Sequence, residues 1–424
     1  MHSNKNEKYK AILAGIYMDD KDEALYSIDE LKSLAEANDL EVGGEILQKK
    51  NKPDGSFYLG EGKVEELAEA LKRCDAKLVI FDDELRSFQA RNLSKRLKCR
   101  VLDRSELILD IFSNRARTKE AKLQVEVARL KYEMSRLQKM WTHFGRIDGS
   151  IGSRGMGETQ LEIDKRRTRK RIDLLEKDLK KLVKTKSNES KSRQNIFKVA
   201  LVGYTNAGKS TLLNVLAKTD VFTKNLLFAT LDTTTRKINL GASYQFLMSD
   251  TVGFVRKLPH QLVASFHATL SEVKEADLLL YVIDFSDKEH LKHIETVEKV
   301  LQQIDADSKK TIIVFNKCDC LDDLDLLENQ SKNLFQKNRD FVYISAQKGR
   351  GLEELKSKIK EYMDENRSSV TLAIPWDNSQ AMTYVSKYAH ILKEWHVEEK
   401  RVMEVKIEKK YIGKFRHFIR EGLE

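Results

Sequence analysis

The sequence predicts a multidomain α/β protein, and three observations along its 424 residues carry that prediction. Residues 1–112 alternate strand-like and helical runs, residues 113–185 hold two long amphipathic stretches around a glycine-rich break, and from residue 196 an apolar strand runs into a glycine-rich loop and then a helix. A chain this long exceeds one ordinary core. The expected units are a small N-terminal α/β domain (1–112), an antiparallel helical hairpin with its tip at 143–160 (113–185), a linker (186–195), a P-loop domain (196–366) and a small α+β module (367–424).

In the first unit, AILAGIYM and AKLVIFDDE read as strands, and SIDELKSLAEAN, GKVEELAEALKRC and RNLSKRLK read as helices, which implies a partly parallel sheet. Gly60 and Gly62 precede one of these helices and can cradle a phosphate there, although a plain strand-to-helix turn is the commoner use of G-x-G. From Arg115 the pattern changes. Leu123, Val127, Leu130, Met134, Leu137 and Trp141 form the apolar seam of a coiled coil, and Leu161, Thr168, Ile172, Leu175, Leu179 and Leu182 form a second. Two such seams bury each other by folding back antiparallel. The break between them holds Gly145, Gly149, Gly152, Gly155 and Gly157, with Arg146 and Arg154 for charge.

The net charge of +10 is regional: residues 113–195 contain 23 Lys+Arg against 11 Asp+Glu, while the rest of the chain holds 53 against 55. The return helix concentrates it in Lys165, Arg166, Arg167, Arg169, Lys170 and Arg171. A basic stripe on one element fits an RNA backbone, where neutralised phosphates release counterions; a solvated charged helix is the plainer alternative. Residues 184–195 are polar without periodicity and read as the linker.

In the P-loop unit, FKVALV leads into GYTNAGKS and then TLLNVLAK, the strand-loop-helix setting that G-x-x-x-x-G-K-[ST] requires. Gly203, Tyr204, Thr205, Asn206, Ala207, Gly208, Lys209, Ser210 and Thr211 are expected around the phosphates, with Lys209 on the β and γ oxygens and Ser210 on Mg²⁺. YQFLMSDTVG then supplies Asp250, Thr251, Val252 and Gly253, with Asp250 holding Mg²⁺ and the Gly253 amide sensing the γ-phosphate. TIIVFNKCD supplies Asn316, Lys317, Cys318 and Asp319, and FVYISA supplies Ser345 and Ala346. An ionised Asp319 accepts two donors that guanine has and adenine lacks, so the substrate is GTP rather than ATP. Phe254 stands where many such enzymes carry a water-orienting glutamine, which implies slow turnover unless a partner assists.

FATLDTTTR, DTVGF and GSIGSRGMGETQLEIDKRRTRKRI, with FDDELRSFQARNL and VLDRSELILDIF nearer the N-terminus, resemble the HflX family of ribosome-associated translational GTPases. The resemblance implies binding to the large ribosomal subunit and its rRNA, a hairpin tip directed toward the peptidyl transferase centre, and splitting of stalled or stressed ribosomes. An RNA-binding assembly or dormancy factor, using GTP as a conformational switch, is the alternative reading. Alignment to the family's switch segment brings Phe228, Ala229, Thr230, Leu231 and Asp232 to the nucleotide, with Thr230 as a third Mg²⁺ ligand. Thr233 departs from the family's usual proline. Lys209, Thr230, Gly253 and Asn206 are the expected catalytic residues; Asn206 either coordinates an activating K⁺, as in related GTPases, or makes a loop-stabilising hydrogen bond.

Cys74, Cys99, Cys318 and Cys320 are too few and scattered for a disulfide framework, and the C-x-C pair has no partners nearby for a metal site. The polar opening MHSNKNEKYK is no signal peptide, and no run suits a membrane helix. The expected location is the cytoplasm, on ribosomes, with peripheral membrane contact left open by the basic hairpin, and a monomer is the default. In the last module AMTYVSKYAHILKEW reads as a helix and VMEVKIE as a strand.

Overall fold

The computed structural model of the protein describes residues 9–147, 156–190, 196–218, 227–228, 230, 232–241, 244–257, 271–321, 340–365 and 367–419. In the first unit β1 (Lys10–Tyr17), β2 (Glu41–Lys49), β3 (Leu78–Phe81) and β4 (Arg100–Asp103) form one sheet in the order β2-β1-β3-β4. Every pairing is parallel, so the sheet is wholly rather than partly parallel. Helices on both faces explain the unbroken apolar runs of β1 and β3. Ala11, Leu13, Leu78 and Ile80 face α1 (Lys21–Ala37) and α4 (Arg104–Arg115), while Ile12, Ala14, Val79 and Phe81 face α2 (Glu61–Cys74) and α3 (Ser87–Leu97). Gly60 is the N-cap of α2 and its amide donates to Gln48 Oε1 at 2.8 Å, a turn rather than a phosphate cradle.

The hairpin consists of α5 (Lys119–Ile147) and α6 (Met156–Ser190). Both helices run further than the sequence suggested. Gly145 and Gly157 lie inside helical spans, and α6 continues through residues 184–190 of the expected linker, a stretch with neither Gly nor Pro to stop it. Val127, Ile172 and Leu175 are buried between the helices, with Leu123, Leu130 and Met134 packed against them. The α5 helix has a second apolar face that the seam did not reveal: Ala121, Val125, Ala128 and Tyr132 enter the core of the N-terminal unit. The Tyr132 hydroxyl donates to the buried Asp103 at 2.5 Å, and Arg136 pairs with Glu106 at 2.9 Å. The hairpin base is therefore part of that unit.

The second sheet has the order β10-β9-β8-β5-β7-β6. Its strands are β5 (Phe197–Gly203), β6 (Thr234–Asn239), β7 (Gln245–Asp250), β8 (Leu278–Asp284), β9 (Thr311–Asn316) and β10 (Asp340–Tyr343), and only the β6–β7 pairing is antiparallel. Five carboxyl ends thus reach one side of the sheet. One apolar cluster runs from Leu13 and Phe112 in the N-terminal unit into Phe228, Val252, Phe254, Val255 and Tyr281 here, so the two sheets share a core. The other face, including Leu201, Val282 and Val314, packs on α7 (Lys209–Leu216) and on Leu355 and Ile359 of a helix at Leu352–Glu365.

A third sheet, β11 (Arg367–Pro375), β13 (Lys400–Glu408) and β12 (Ala389–Val397), is antiparallel. Its helix covers only Ser379–Tyr388. The AHILKEW segment expected to continue that helix is strand β12, because Ile391, Trp395 and Val397 suit a pleated surface and β13 offers a full ladder of partners.

Candidate nucleotide site

The loops after β5, β7, β8, β9 and β10 enclose a cavity of ≈ 480 Å³. Fifteen of the expected residues line it, among them Thr205, Asn206, Gly208, Lys209, Ser210, Thr211, Phe228, Thr230, Thr251, Gly253, Asn316, Lys317, Asp319, Ser345 and Ala346. Ser286, Cys320 and Gln347 line it as well and were not foreseen. Cys320 and Gln347 directly follow recognised motifs, and Ser286 follows the end of β8, a strand the motifs did not mark.

Gly208 has φ +94°, and an added Cβ would stand 2.2 Å from Asn316 Nδ2, so only glycine fits. Asn316 is buried; its Nδ2 donates to Ala207 O at 2.8 Å and its Oδ1 accepts from Ala346 N at 3.0 Å. It braces the P-loop against the Ser345–Ala346 loop. Lys209 Nζ donates to Gly203 O at 3.0 Å and Tyr204 O at 2.7 Å. Burial pulls its ammonium down to about 8, against the attraction of Asp250. An anionic phosphate beside Lys209 would favour its charged form.

Ser210, Thr230 and Asp250 form a triangle. Ser210 Oγ lies 2.6 Å from Asp250 Oδ2 and 2.8 Å from Thr230 Oγ1, and Thr230 Oγ1 lies 2.8 Å from Asp250 Oδ2. These spacings are near the roughly 3 Å between adjacent ligands of an octahedral Mg²⁺, and all are hard oxygen donors. Among the described residues Asp250 Oδ1 is buried without a hydrogen-bond partner, and burial raises the carboxyl above its usual range, which a cation would reverse. The three residues fit Mg²⁺. Ser210, Thr230 and Asp250 would hold it, and it would neutralise charge developing on the nucleotide's phosphates.

At the far end, the Ser345 hydroxyl and then Lys348 hold the Asp319 carboxyl below the usual carboxylate range, as an acceptor of two guanine donors must be. Lys348 lies 3.2 Å from it. Lys317 has φ +64° and pairs with Asp284 at 2.6 Å.

Several expected residues serve elsewhere. Tyr204 turns its side chain to the N-terminal unit, donating to Glu30 and stacking on His293 with centroids 3.7 Å apart. Asp232 accepts from Arg117 N at 3.0 Å and Thr118 Oγ1 at 2.5 Å at the start of α5, away from the cavity. Phe228 reaches the cavity edge, but its ring packs on Phe112 and its carbonyl accepts from Arg115 at 2.8 Å. Gly203, Ala207, Val252 and Cys318 are behind the wall, and burial pushes the Cys318 thiol up to about 11. Ala229 and Leu231 lie outside the described residues.

Phe254 is buried in the shared core and cannot orient water at the cavity. Its backbone is strapped to the P-loop: Thr205 N donates to Phe254 O at 2.7 Å, and Phe254 N donates to Gly203 O at 3.2 Å.

On the hairpin, Arg166, Arg167, Arg169 and Lys170 are exposed and Lys165 is half-buried. Arg171 is exposed as well and pairs with Glu126 at 2.9 Å. Arg154 and the side chain of Arg146 lie outside the described residues.

Family models described as "GTP-binding GTPase N-terminal", "GTP-binding GTPase Middle Region" and "50S ribosome-binding GTPase" match residues 25–113, 115–193 and 198–317. The chain is 41% identical to GTPase HflX of Caldanaerobacter subterraneus, over 93% of this chain and 90% of that one. It is also 41% identical to GTPase HflX of Escherichia coli K12, over 92% and 91%. The chain belongs to the HflX family of GTPases. A crystal structure of a GTP-binding protein from Sulfolobus solfataricus with GDP is 28% identical, covers 84% of this chain and 99% of its own, and superposes with a TM-score of 0.44. As a member of the HflX family this chain is a GTPase, cleaving the bond between the β and γ phosphates of GTP. No helix among the described residues is long and apolar enough to cross a membrane.

Proposed function

We propose that this HflX-family GTPase binds the large ribosomal subunit and its rRNA through the hairpin, splits stalled or stressed ribosomes into subunits, and hydrolyses GTP to leave. The observation that carries the reading is the exposed basic face of α6, with Arg166, Arg167, Arg169 and Lys170 on a helix whose partner α5 is built into the N-terminal core. Such a face binds phosphate backbones, and a fixed base gives it the leverage to act on what it binds. The description of the matching model as a 50S ribosome-binding GTPase and the names of the relatives support the same partner.

Hydrolysis then resets the cycle. GTP orders the segments of Thr230 and Gly253, the ordered state engages the ribosome, and loss of the γ-phosphate releases it. Because Phe254 supplies no group to orient water, turnover by the isolated enzyme is slow and the ribosome accelerates it; a partner's charge stabiliser is typically worth about 10³ to 10⁵ in rate. Asn206 holds φ +60° at the cavity and is the residue through which K⁺ would activate. The test is light scattering of intact ribosomes mixed with protein and a non-hydrolysable GTP analogue. A drop as subunits separate is expected; unchanged whole ribosomes carrying bound protein would favour the assembly or dormancy factor instead. Turnover should rise at least about tenfold with large subunits. Equal rates in K⁺ and Na⁺ would remove the role of Asn206.

A further inference from the structure

Behind the guanine end of the cavity stands a carboxylate that is not part of its lining. Strands β8 and β9 pair in parallel as far as Asp284 opposite Asn316, and Phe285 N donates to Asn316 O at 3.0 Å just beyond. The residues that follow enter the cavity wall: Ser286 after one strand, Lys317 and Asp319 after the other. Asp284 holds both sides of this wall. Its Oδ2 accepts from Lys317 Nζ at 2.6 Å, and its Oδ1 accepts from Ser286 Oγ at 2.6 Å and from Ser286 N at 3.1 Å. Each oxygen of the carboxylate is thus engaged by a residue that lines the cavity.

Lys317 is constrained at its backbone as well. Its φ of +64° is left-handed, a conformation that a residue with a Cβ keeps only where its surroundings dictate it. From that position Lys317 O accepts from Cys320 N at 3.0 Å, which closes the turn Cys318–Cys320 that carries Asp319. A base read along its edge by Asp319 turns its faces to the adjoining walls, and Lys317 belongs to one of them. With its ammonium drawn to Asp284, the lysine offers a base its methylene stem. A lysine side chain has large rotamer freedom, and ordering it on binding would cost affinity. The contact with Asp284 lies wholly within the protein, so this ordering belongs to folding instead.

We propose that Asp284 is a positioning residue for guanine nucleotides: without touching the nucleotide it sets, through Lys317, how tightly the base is held. The base is common to GDP and GTP, so both feel Asp284 equally. Cleavage takes place at the other end of the cavity, beside Lys209 and Gly253, and does not depend on it. Ser286 secures the second oxygen and keeps the carboxylate turned toward Lys317. Charge matters as much as shape here, because a charge-assisted hydrogen bond is roughly twice as strong as a neutral one. The role requires nucleotide binding alone and operates with no ribosome present.

The experiment is a titration of the full chain, with Mg²⁺ and without ribosomes, by GDP and by a non-hydrolysable GTP analogue, with GTP turnover measured alongside. It compares the natural chain with Asp284→Asn, with Lys317→Met, which keeps an unbranched apolar stem but no ammonium, and with the double variant. Asp284→Asn is expected to weaken GDP and the analogue by the same factor, about tenfold or more. It should raise KM for GTP while kcat moves by less than about twofold. In the Lys317→Met background the same change should cost less than about twofold, because its partner is already gone. Ser286→Ala retains the backbone donor and should weaken both nucleotides by about two- to threefold, again only where Lys317 is present; it carries the test if Asp284→Asn does not fold. Unequal losses for the two nucleotides, a fall in kcat at constant KM, no loss at all, or the same cost with and without the Lys317 ammonium would overturn the proposal. Failure of ribosome splitting would leave these affinities untouched.

Discussion

The wholly parallel N-terminal sheet and the mostly parallel GTPase sheet end in crevices of opposite charge. At the carboxyl edge of the GTPase sheet, Lys209 and the backbone of a glycine-rich loop meet an anion. At the same edge of the N-terminal sheet, Asp82 and Asp83 meet a cation, and the cation is Lys257 from the GTPase unit. Strand topology placed both sites, and side-chain chemistry decided what each one takes. The difference teaches that one unit of this enzyme turns over a nucleotide while the other, built on the same plan, holds a lysine of its neighbour.

The contrast is sharpest at the guanine end of the first crevice. Asp319→Asn removes an acceptor that both guanine donors need and should lower GTP affinity by about 10⁴-fold, measured by titration. A loss under tenfold would mean that the backbone of Ser345 and Ala346 reads the base. In the second crevice, Arg104→Leu leaves Glu30 and Asp82 buried without their common partner, a loss of about 3 to 5 kcal/mol. Thermal unfolding of the N-terminal unit should show it, and a shift under about 2 °C would mean that the carboxylates are satisfied elsewhere.

Between the crevices lies His293, stacked on Tyr204 and 3.0 Å from the Tyr26 hydroxyl. Burial holds its imidazole below the usual histidine range, against Asp287 and Glu30, which pull the other way. The unfolded chain therefore takes up that proton more readily than the folded one. The resulting contribution is fully present above pH 6.5, the ordinary histidine value, and is lost on acidification below it. Melting temperatures at pH 7.5 and 5.5 should differ more for the natural chain than for His293→Phe, and equal differences would exclude this residue. The smallest effect belongs to the switch segment. Thr233→Pro restricts the unfolded and open ensembles and should tighten a GTP analogue by a few-fold, about 0.4 to 1 kcal/mol, with unchanged affinity counting against it.

The nucleotide crevice was legible because its parts are local. Each motif is a strand end with a few fixed residues, and their order along the chain is the order of the fold. The acidic crevice was not, since Glu23, Tyr26, Glu30, Asp82, Arg104, Tyr204, Arg256 and His293 meet from distant stretches with no period to link them. Tyr204 and Asp232 show the limit of reasoning by motif. Both belong to recognised nucleotide segments, yet one points to Glu30 and the other holds the first turn of α5. The second apolar face of α5 was available at Ala121, Val125, Ala128 and Tyr132, in the same spacing as the seam but masked by it. The AHILKEW segment carries helical spacing, and only pairing with β13, seen in three dimensions, overrules it.

The apolar cluster that passes unbroken from one sheet to the other has a practical corollary. An excised fragment holding only the catalytic unit would carry an oily scar at Phe228, whose ring packs on Phe112 of the N-terminal unit within the shared cluster. Its kinetics would then report a newly bared apolar surface as well as the nucleotide site. Point changes in the intact polypeptide are the surgery this architecture tolerates.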